Sequence, residues 1–268
     1  MAREFIPGVF WIQECGANLN DLAAAMLMGS HDWYRQGREI HIPQNAYLFV
    51  GKKTLLFDTL SPASSNQILT ELSDILGDRP LDYLVVSHTD TPHAGNTFKI
   101  LRAYPRATLV GPRYGDAHEL YHLEDAFKVG EGDSIDLGSF TLKFHEATFL
   151  DAPISVWMTE ANTGMLLPVD WIGMPHMDGE CLKCVDELDT QVDADRLLQF
   201  HGRVFFWLQY VNAPKTIAEI GRINRQFNPN IIAPSHGLVI RQDASRYMDL
   251  MKDVVQSISD RGRVGVVG

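Results

Sequence analysis

Two hydrophobic periods run through this chain. Residues 9–13, 45–50, 54–58, 84–87 and 107–110 are short apolar runs closed by turn-forming residues, the pattern of strands. The runs 45–50 and 54–58 flank Gly51-Lys52-Lys53 and predict a hairpin. Ile68, Leu69, Leu72 and Ile75 recur at helical spacing behind the serine-rich stretch 61–65, which predicts an amphipathic helix. Residues 22–27 are helix-capable, and 93–104 predict a second helix.

A second set of strands is predicted at 134–137, 141–145, 155–159 and 165–169, with Gly138 and Asn162-Thr163-Gly164 as turns. Residues 171–193 are irregular, acidic and methionine-bearing, which predicts a long loop or lid. Helices are expected at 194–210, at 214–227 with Pro214 in the first turn, and at 243–259. No repeat, linker or low-complexity run interrupts the pattern. It reads as a single α/β domain over 1–268, strands in two similar halves with helices outside, compatible with a four-layer sandwich.

The 268 residues are 45% hydrophobic and 21% charged, enough for a sizeable core. No stretch of eighteen or more apolar residues exists, so no membrane-spanning helix is expected. The N-terminus has no apolar signal-peptide core, and the expected location is cytoplasmic. Three cysteines, Cys15, Cys181 and Cys184, exclude a disulfide framework. The net charge of -11 argues against nonspecific nucleic-acid binding. A bound cation, or a pair, would offset part of it.

That charge gives weight to two motifs. Ser87-His88-Thr89-Asp90-Thr91-Pro92-His93 follows the apolar Leu84-Val85-Val86, and Ala233-Pro234-Ser235-His236-Gly237 follows Ile231-Ile232. A lone histidine after a strand is usually a hydrogen-bonded or surface residue. His88, Asp90 and His93, however, stand at i, i+2 and i+5, so on a turn leaving a strand they can converge on one cation.

In these stretches the chain resembles the metallo-β-lactamase superfamily, and within it the dimetal domain of flavodiiron proteins and stand-alone oxygen-binding diiron proteins. His88-Thr-Asp90-Thr-Pro-His93-Ala-Gly-Asn is similar to that family's His-x-Glu-x-Asp-His-x-Gly signature. Gln44-Asn45-Ala46-Tyr47-Leu48 with Leu56-Phe57-Asp58-Thr59 resembles its early hairpin, whose aspartate supports the metal loop. Leu166-Leu167-Pro168-Val169-Asp170 resembles the strand before the bridging aspartate, and residues 210–214 with 231–237 resemble the segment ending in the last histidine. The likeness runs from about 45 to 237.

The resemblance implies a metallo-β-lactamase-like αββα four-layer sandwich without a flavodoxin domain. It implies metal ligands His88, Asp90, His93, Asp151, Asp170 and His236, with His88, Asp90 and Asp151 on one ion, His93 and His236 on the other, and Asp170 bridging. Asp170 and Asp90 are the implied catalytic groups. The implied cofactor is two iron ions, with zinc or manganese as alternatives. Asp90 stands where hydrolases carry histidine and flavodiiron proteins glutamate. Asp151, in Phe149-Leu150-Asp151-Ala152-Pro153, stands where histidine is usual, and Pro92 where the family has aspartate. A carboxylate in place of imidazole favours iron or manganese over zinc. The implied function is a non-haem diiron protein binding or activating dioxygen, an oxidoreductase or an oxygen or iron sensor. Its expected partners are dioxygen or a small-molecule substrate and a separate electron donor, with homo-oligomerisation open. The alternatives are a zinc-dependent hydrolase of an ester, lactone, thioester or phosphodiester, and a domain with one metal or none kept as a scaffold.

Other residues carry weaker signals. Cys181-Leu-Lys-Cys184 has redox or half-zinc spacing but no second pair nearby. Phe205, Phe206, Trp207 and Tyr210 read as core or a subunit interface. Trp171 is expected to wall the pocket, and His31, Trp33 and Tyr34 to overhang it. His145 is expected to point away, His176 and His201 are undecided, and His118 with His122 reads as a solvated helix face.

Overall fold

A computed structural model describes residues 1–15, 38–113, 126–151 and 154–261. The helix-capable run 22–27, the residues His31, Trp33 and Tyr34, and the pair His118 and His122 lie outside the described residues. By its contacts the chain divides into two compact units: Met1–Glu14, Gln44–Asn162 and Leu167–Val169 form one, and Cys15–Pro43, Thr163–Leu166 and Asp170–Gly268 the other.

The first unit is built on a seven-stranded sheet in the order β1-β2-β4-β5-β6-β7-β8. Its strands are β1 (Ala2–Ile6), β2 (Val9–Glu14), β4 (Gln44–Val50), β5 (Thr54–Phe57), β6 (Tyr83–Val85), β7 (Thr108–Pro112) and β8 (Phe127–Val129). Antiparallel pairing through β5 gives way to parallel pairing from β5 to β8. Parallel neighbours need a crossover. Helix α1 (Ser65–Leu76) supplies it between β5 and β6, and α2 (Thr91–Ala94) with α3 (Thr97–Ala103) between β6 and β7. Ile68, Leu72 and Leu76 of α1 share one face and pack with Leu48, Leu56 and Leu84 from the sheet. Burying each such side chain is worth about 1.5–3 kcal/mol.

The expected continuous helix over 93–104 is instead two pieces. A Cβ on Gly95 would lie 2.5 Å from Pro62 Cδ and 2.6 Å from the Thr91 carbonyl oxygen, so only glycine allows this approach. The next residue, Asn96, donates its side-chain amide to the carbonyls of Thr59, Leu60 and Ser61 at 2.9, 3.1 and 2.7 Å. These bonds tie the helix break to the turn after β5. Three further strands of this unit, β9 (Ser134–Asp136), β10 (Thr141–Glu146) and β11 (Val156–Glu160), pair antiparallel.

In the second unit, β12 (Met165–Leu167) pairs in parallel with β14 (Ile231–Ile232) through Met165–Ile231 and Leu166–Ile232. A two-residue pair joins β3 (Ile40–His41) and β13 (His176–Met177). The unit's helices are α4 (Ala194–Val204), α5 (Ala213–Phe227) and α6 (Ala244–Arg261). The helix expected over 194–210 stops at Val204 and continues as a 3-10 segment, Phe206–Tyr210. The tighter winding separates the aromatic run. Phe205 is fully buried against Trp171 and His201, whereas Phe206 and Tyr210 are 50% and 75% exposed, so the run is not one core face.

The long loop or lid expected over 171–193 keeps its irregular course but is buried over its first part, residues 171–177. The fully buried Arg196 holds it from below, donating to the Pro175 carbonyl at 2.8 Å and pairing with Glu180. Glu180 in turn accepts from the Met177 amide at 2.9 Å.

Candidate metal centre

In the first unit a candidate ligand and the carboxylate that supports the metal loop stand at the C-terminal ends of two adjacent parallel strands. Asp58 follows β5 and His88 follows β6, and the Asp58 amide donates to Val85 at 2.8 Å. Asp58 is fully buried with φ of 66°, a left-handed conformation that non-glycine residues seldom adopt. Its carboxylate accepts from the Ser87 amide and hydroxyl, both at 2.9 Å, and from His93 Nδ1 at 2.8 Å. Thr59 adds a hydroxyl donated to the His93 carbonyl at 2.8 Å. Holding Nδ1–H on a carboxylate fixes the tautomer and leaves Nε2 with its lone pair, the usual arrangement behind a ligating histidine. His88 and His93 are buried, their rings 4.8 Å apart.

His88 is held differently. Its Nδ1 accepts from the Asp90 amide at 2.9 Å, so the neutral ring carries its proton on Nε2, 3.1 Å from Asp151 Oδ1. A cation on Nε2 must displace that proton and turn the Asp90 amide away. One donor atom each from His88, Asp90 and Asp151 lies within 4.8 Å of the others, a donor set that fits a hard or borderline cation. Asp90 has the most open side chain of the three, 62% exposed against 15% for Asp151. Pro92 sits in the first turn of α2, where its missing N–H costs nothing. His145 points elsewhere: its ring nitrogens meet Glu131 at 3.1 Å and Thr159 at 2.8 Å.

In the second unit, Asp170 and His236 are both buried, with His236 Nε2 3.2 Å from Asp170 Oδ1. His236 donates Nδ1–H to the Pro43 carbonyl at 2.7 Å, again leaving Nε2 as the ligand atom. The backbone around Asp170 is strained, with φ of 56° at Val169 and 67° at Ile172. Such conformations cost about 1–3 kcal/mol each and concentrate where geometry serves function. The buried His201 accepts from the Ile172 amide at 3.0 Å and donates to the Leu197 carbonyl at 2.9 Å. Burial holds its pKa down to about 4, so the ring is neutral. Trp171 packs edge-on against it at 5.1 Å.

The sequence profile of the Metallo-beta-lactamase superfamily matches residues 41–179. The chain belongs to the metallo-β-lactamase superfamily. Within it, the chain is 31% identical over 210 residues to the nitric oxide reductase of Moorella thermoacetica, covering 76% of this chain and 51% of that protein. The rubredoxin oxygen:oxidoreductase structure of Desulfovibrio gigas superposes with a TM-score of 0.73 at 22% identity, covering 97% of this chain and 61% of that one. The flavodiiron protein of Giardia intestinalis gives 0.70 at 18%, with coverages of 97% and 60%. The metallo-β-lactamase fold expected from sequence is therefore the fold of this chain, and its relatives are flavodiiron proteins. The chain spans about half the length of the curated relatives it matches, 51% and 55% in two cases. Among the described residues, no helix of this superfamily member is long and apolar enough to cross a membrane.

One cluster went unread in the sequence. Cys15, His41, His176 and Cys181 gather in the second unit with one donor atom each within 4.8 Å of the others. Cys184, the partner that C-x-x-C spacing offers Cys181, is buried as the N-cap of the 3-10 turn Val185–Glu187. Four residues from three distant segments leave no local spacing to read.

Proposed function

We propose that this chain is a non-haem diiron protein of flavodiiron type that binds or activates dioxygen, as an oxidoreductase or as an oxygen or iron sensor. Its proposed ligands are His88, Asp90, His93, Asp151, Asp170 and His236, with Asp170 and Asp90 nearest the chemistry. The observation that carries the reading is the Asp58–His93 pair. A buried carboxylate that orients a histidine and anchors the preceding Ser87 is the support a strand-end metal loop needs. Three carboxylates among six ligands favour iron over zinc.

A pair of iron ions, when bound, supplies electrons to a small oxidant one at a time. The residues supply the rest. Asp58 and Pro43 keep the protons of His93 and His236 on Nδ1, which presents Nε2 outward. Trp171, next to Asp170 in the chain, is fully buried against His201 and Phe205. Sustained turnover needs an electron donor.

The test is elemental analysis of protein purified anaerobically without added metal, followed by titration with dioxygen. About two irons per chain and oxygen-dependent oxidation are expected. Zinc lost on substitution of these six ligands would instead make the chain a metallo-hydrolase of an ester, lactone, thioester or phosphodiester. No metal lost with them would leave a scaffold.

A further inference from the structure

We propose that Cys15, His41, His176 and Cys181 form a second metal site, a tetrahedral Cys2His2 centre that takes zinc, separate from the six ligands above. Cys15 directly follows the last residue of β2. His41 and His176 are cross-strand partners in the β3/β13 pair, so both rings leave the same face, with centroids 5.3 Å apart. Cys181 comes from the turn after β13, where Glu180 is fixed by the buried Arg196.

The distances match a metal tetrahedron. His176 Nε2 lies 3.4 Å from Cys15 Sγ and 3.5 Å from Cys181 Sγ, and Cys181 Sγ lies 3.3 Å from His41 Nδ1. Zinc bonds of 2.0–2.3 Å make the edges of a tetrahedron about 3.6 Å long. The four donor atoms all lie within 4.8 Å of one another. The ligand atoms of both histidines, Nδ1 of His41 and Nε2 of His176, face inward, while His41 Nε2 lies 3.7 Å from the Glu39 carboxylate, which can orient the ring.

Charge supports the same assignment. His176 is wholly buried. Two thiolates, two neutral imidazoles and a dication sum to no net charge, the state that burial tolerates. Soft sulfur with imidazole in a tetrahedron selects zinc over the harder ions that suit carboxylates. On binding, each thiol gives its proton to solvent and the two sulfurs bond the metal, with no change of oxidation state. The role is structural: one ion cross-links residues 15, 41, 176 and 181, and a two-residue strand pair is too short to hold itself.

Cobalt(II) is the probe, titrated into the reduced, metal-free full chain. About one equivalent per chain is expected to give a thiolate-to-cobalt charge-transfer band and visible bands of tetrahedral intensity, both displaced by zinc. The signal should persist in His88→Ala/His236→Ala and vanish in Cys15→Ser and Cys181→Ser. In the unaltered protein, zinc should slow alkylation of Cys15 and Cys181 at least about tenfold, and a chelator should reverse it. A cobalt spectrum without the charge-transfer band in the unaltered chain overturns the proposal, whatever the variants do. So do a signal that survives both serine variants, alkylation rates indifferent to zinc, and a Cys15–Cys181 disulfide in protein purified under reducing conditions.

Discussion

His93 donates its Nδ1–H to Asp58 across 2.8 Å, and the same carboxylate holds the amide and hydroxyl of Ser87. One buried side chain therefore sets both the tautomer of a candidate ligand and the backbone from which His88 departs. Asp58→Asn keeps the volume but cannot anchor both groups as an anion. Metal affinity should fall about 10–100-fold, read by chelator competition. Unchanged affinity would separate Asp58 from the metal loop.

Pro92 occupies the first turn of α2, a position that accepts any residue without losing a backbone hydrogen bond. Pro92→Asp should raise the metal bound per chain, or tighten the weaker ion, by restoring a carboxylate beside His93. Its unfolding free energy should move by less than about 1 kcal/mol. Elemental analysis beside a urea titration checks both, and an unaltered metal content would argue against the alignment of this motif with the family signature.

His201 is neutral in the fold, its pKa pressed by burial from 6.5 to about 4. The unfolded chain therefore takes up this proton first as pH falls. Stability is fully present above about pH 6.5 and is lost progressively down to about 4, by about 3 kcal/mol in all. Urea unfolding at pH 7 and pH 5 should display the decline, and His201→Gln should flatten it by about one proton. Equal slopes in both proteins would place the burdened histidine elsewhere.

Arg196 is buried beneath β13, paired with Glu180 and bonded to the Pro175 carbonyl. Arg196→Ala strands the Glu180 carboxylate and should cost about 3–5 kcal/mol. Arg196→Met with Glu180→Gln should cost less than the single change, because no buried charge is left alone. Chemical denaturation of the three proteins decides it; additive losses would mean the pair is not coupled.

Local signals in the chain were enough for most elements of the first unit. Short apolar runs and turn residues marked β4 and β5, and the period of Ile68, Leu72 and Ile75 marked α1, because those patterns reflect burial against the nearest neighbours. The motif His88-Thr-Asp-Thr-Pro-His93 and the segment ending at His236 were legible for the same reason: each is short and local, and each follows an apolar strand. The resemblance of these motifs to a known family extended the reading to Asp58, Asp151 and Asp170.

Tertiary structure decided what depended on distant partners. Gly95 and Asn96 break a helix only because the 59–62 turn lies against them. Residues 171–177 look like a surface loop by composition, yet are buried because Arg196 and the β3 pairing hold them down. The cluster of Cys15, His41, His176 and Cys181 has no sequence spacing at all. Its ligands converge only when two strands of two residues meet, and a pairing that short is written in the packing around it and not in its own side chains.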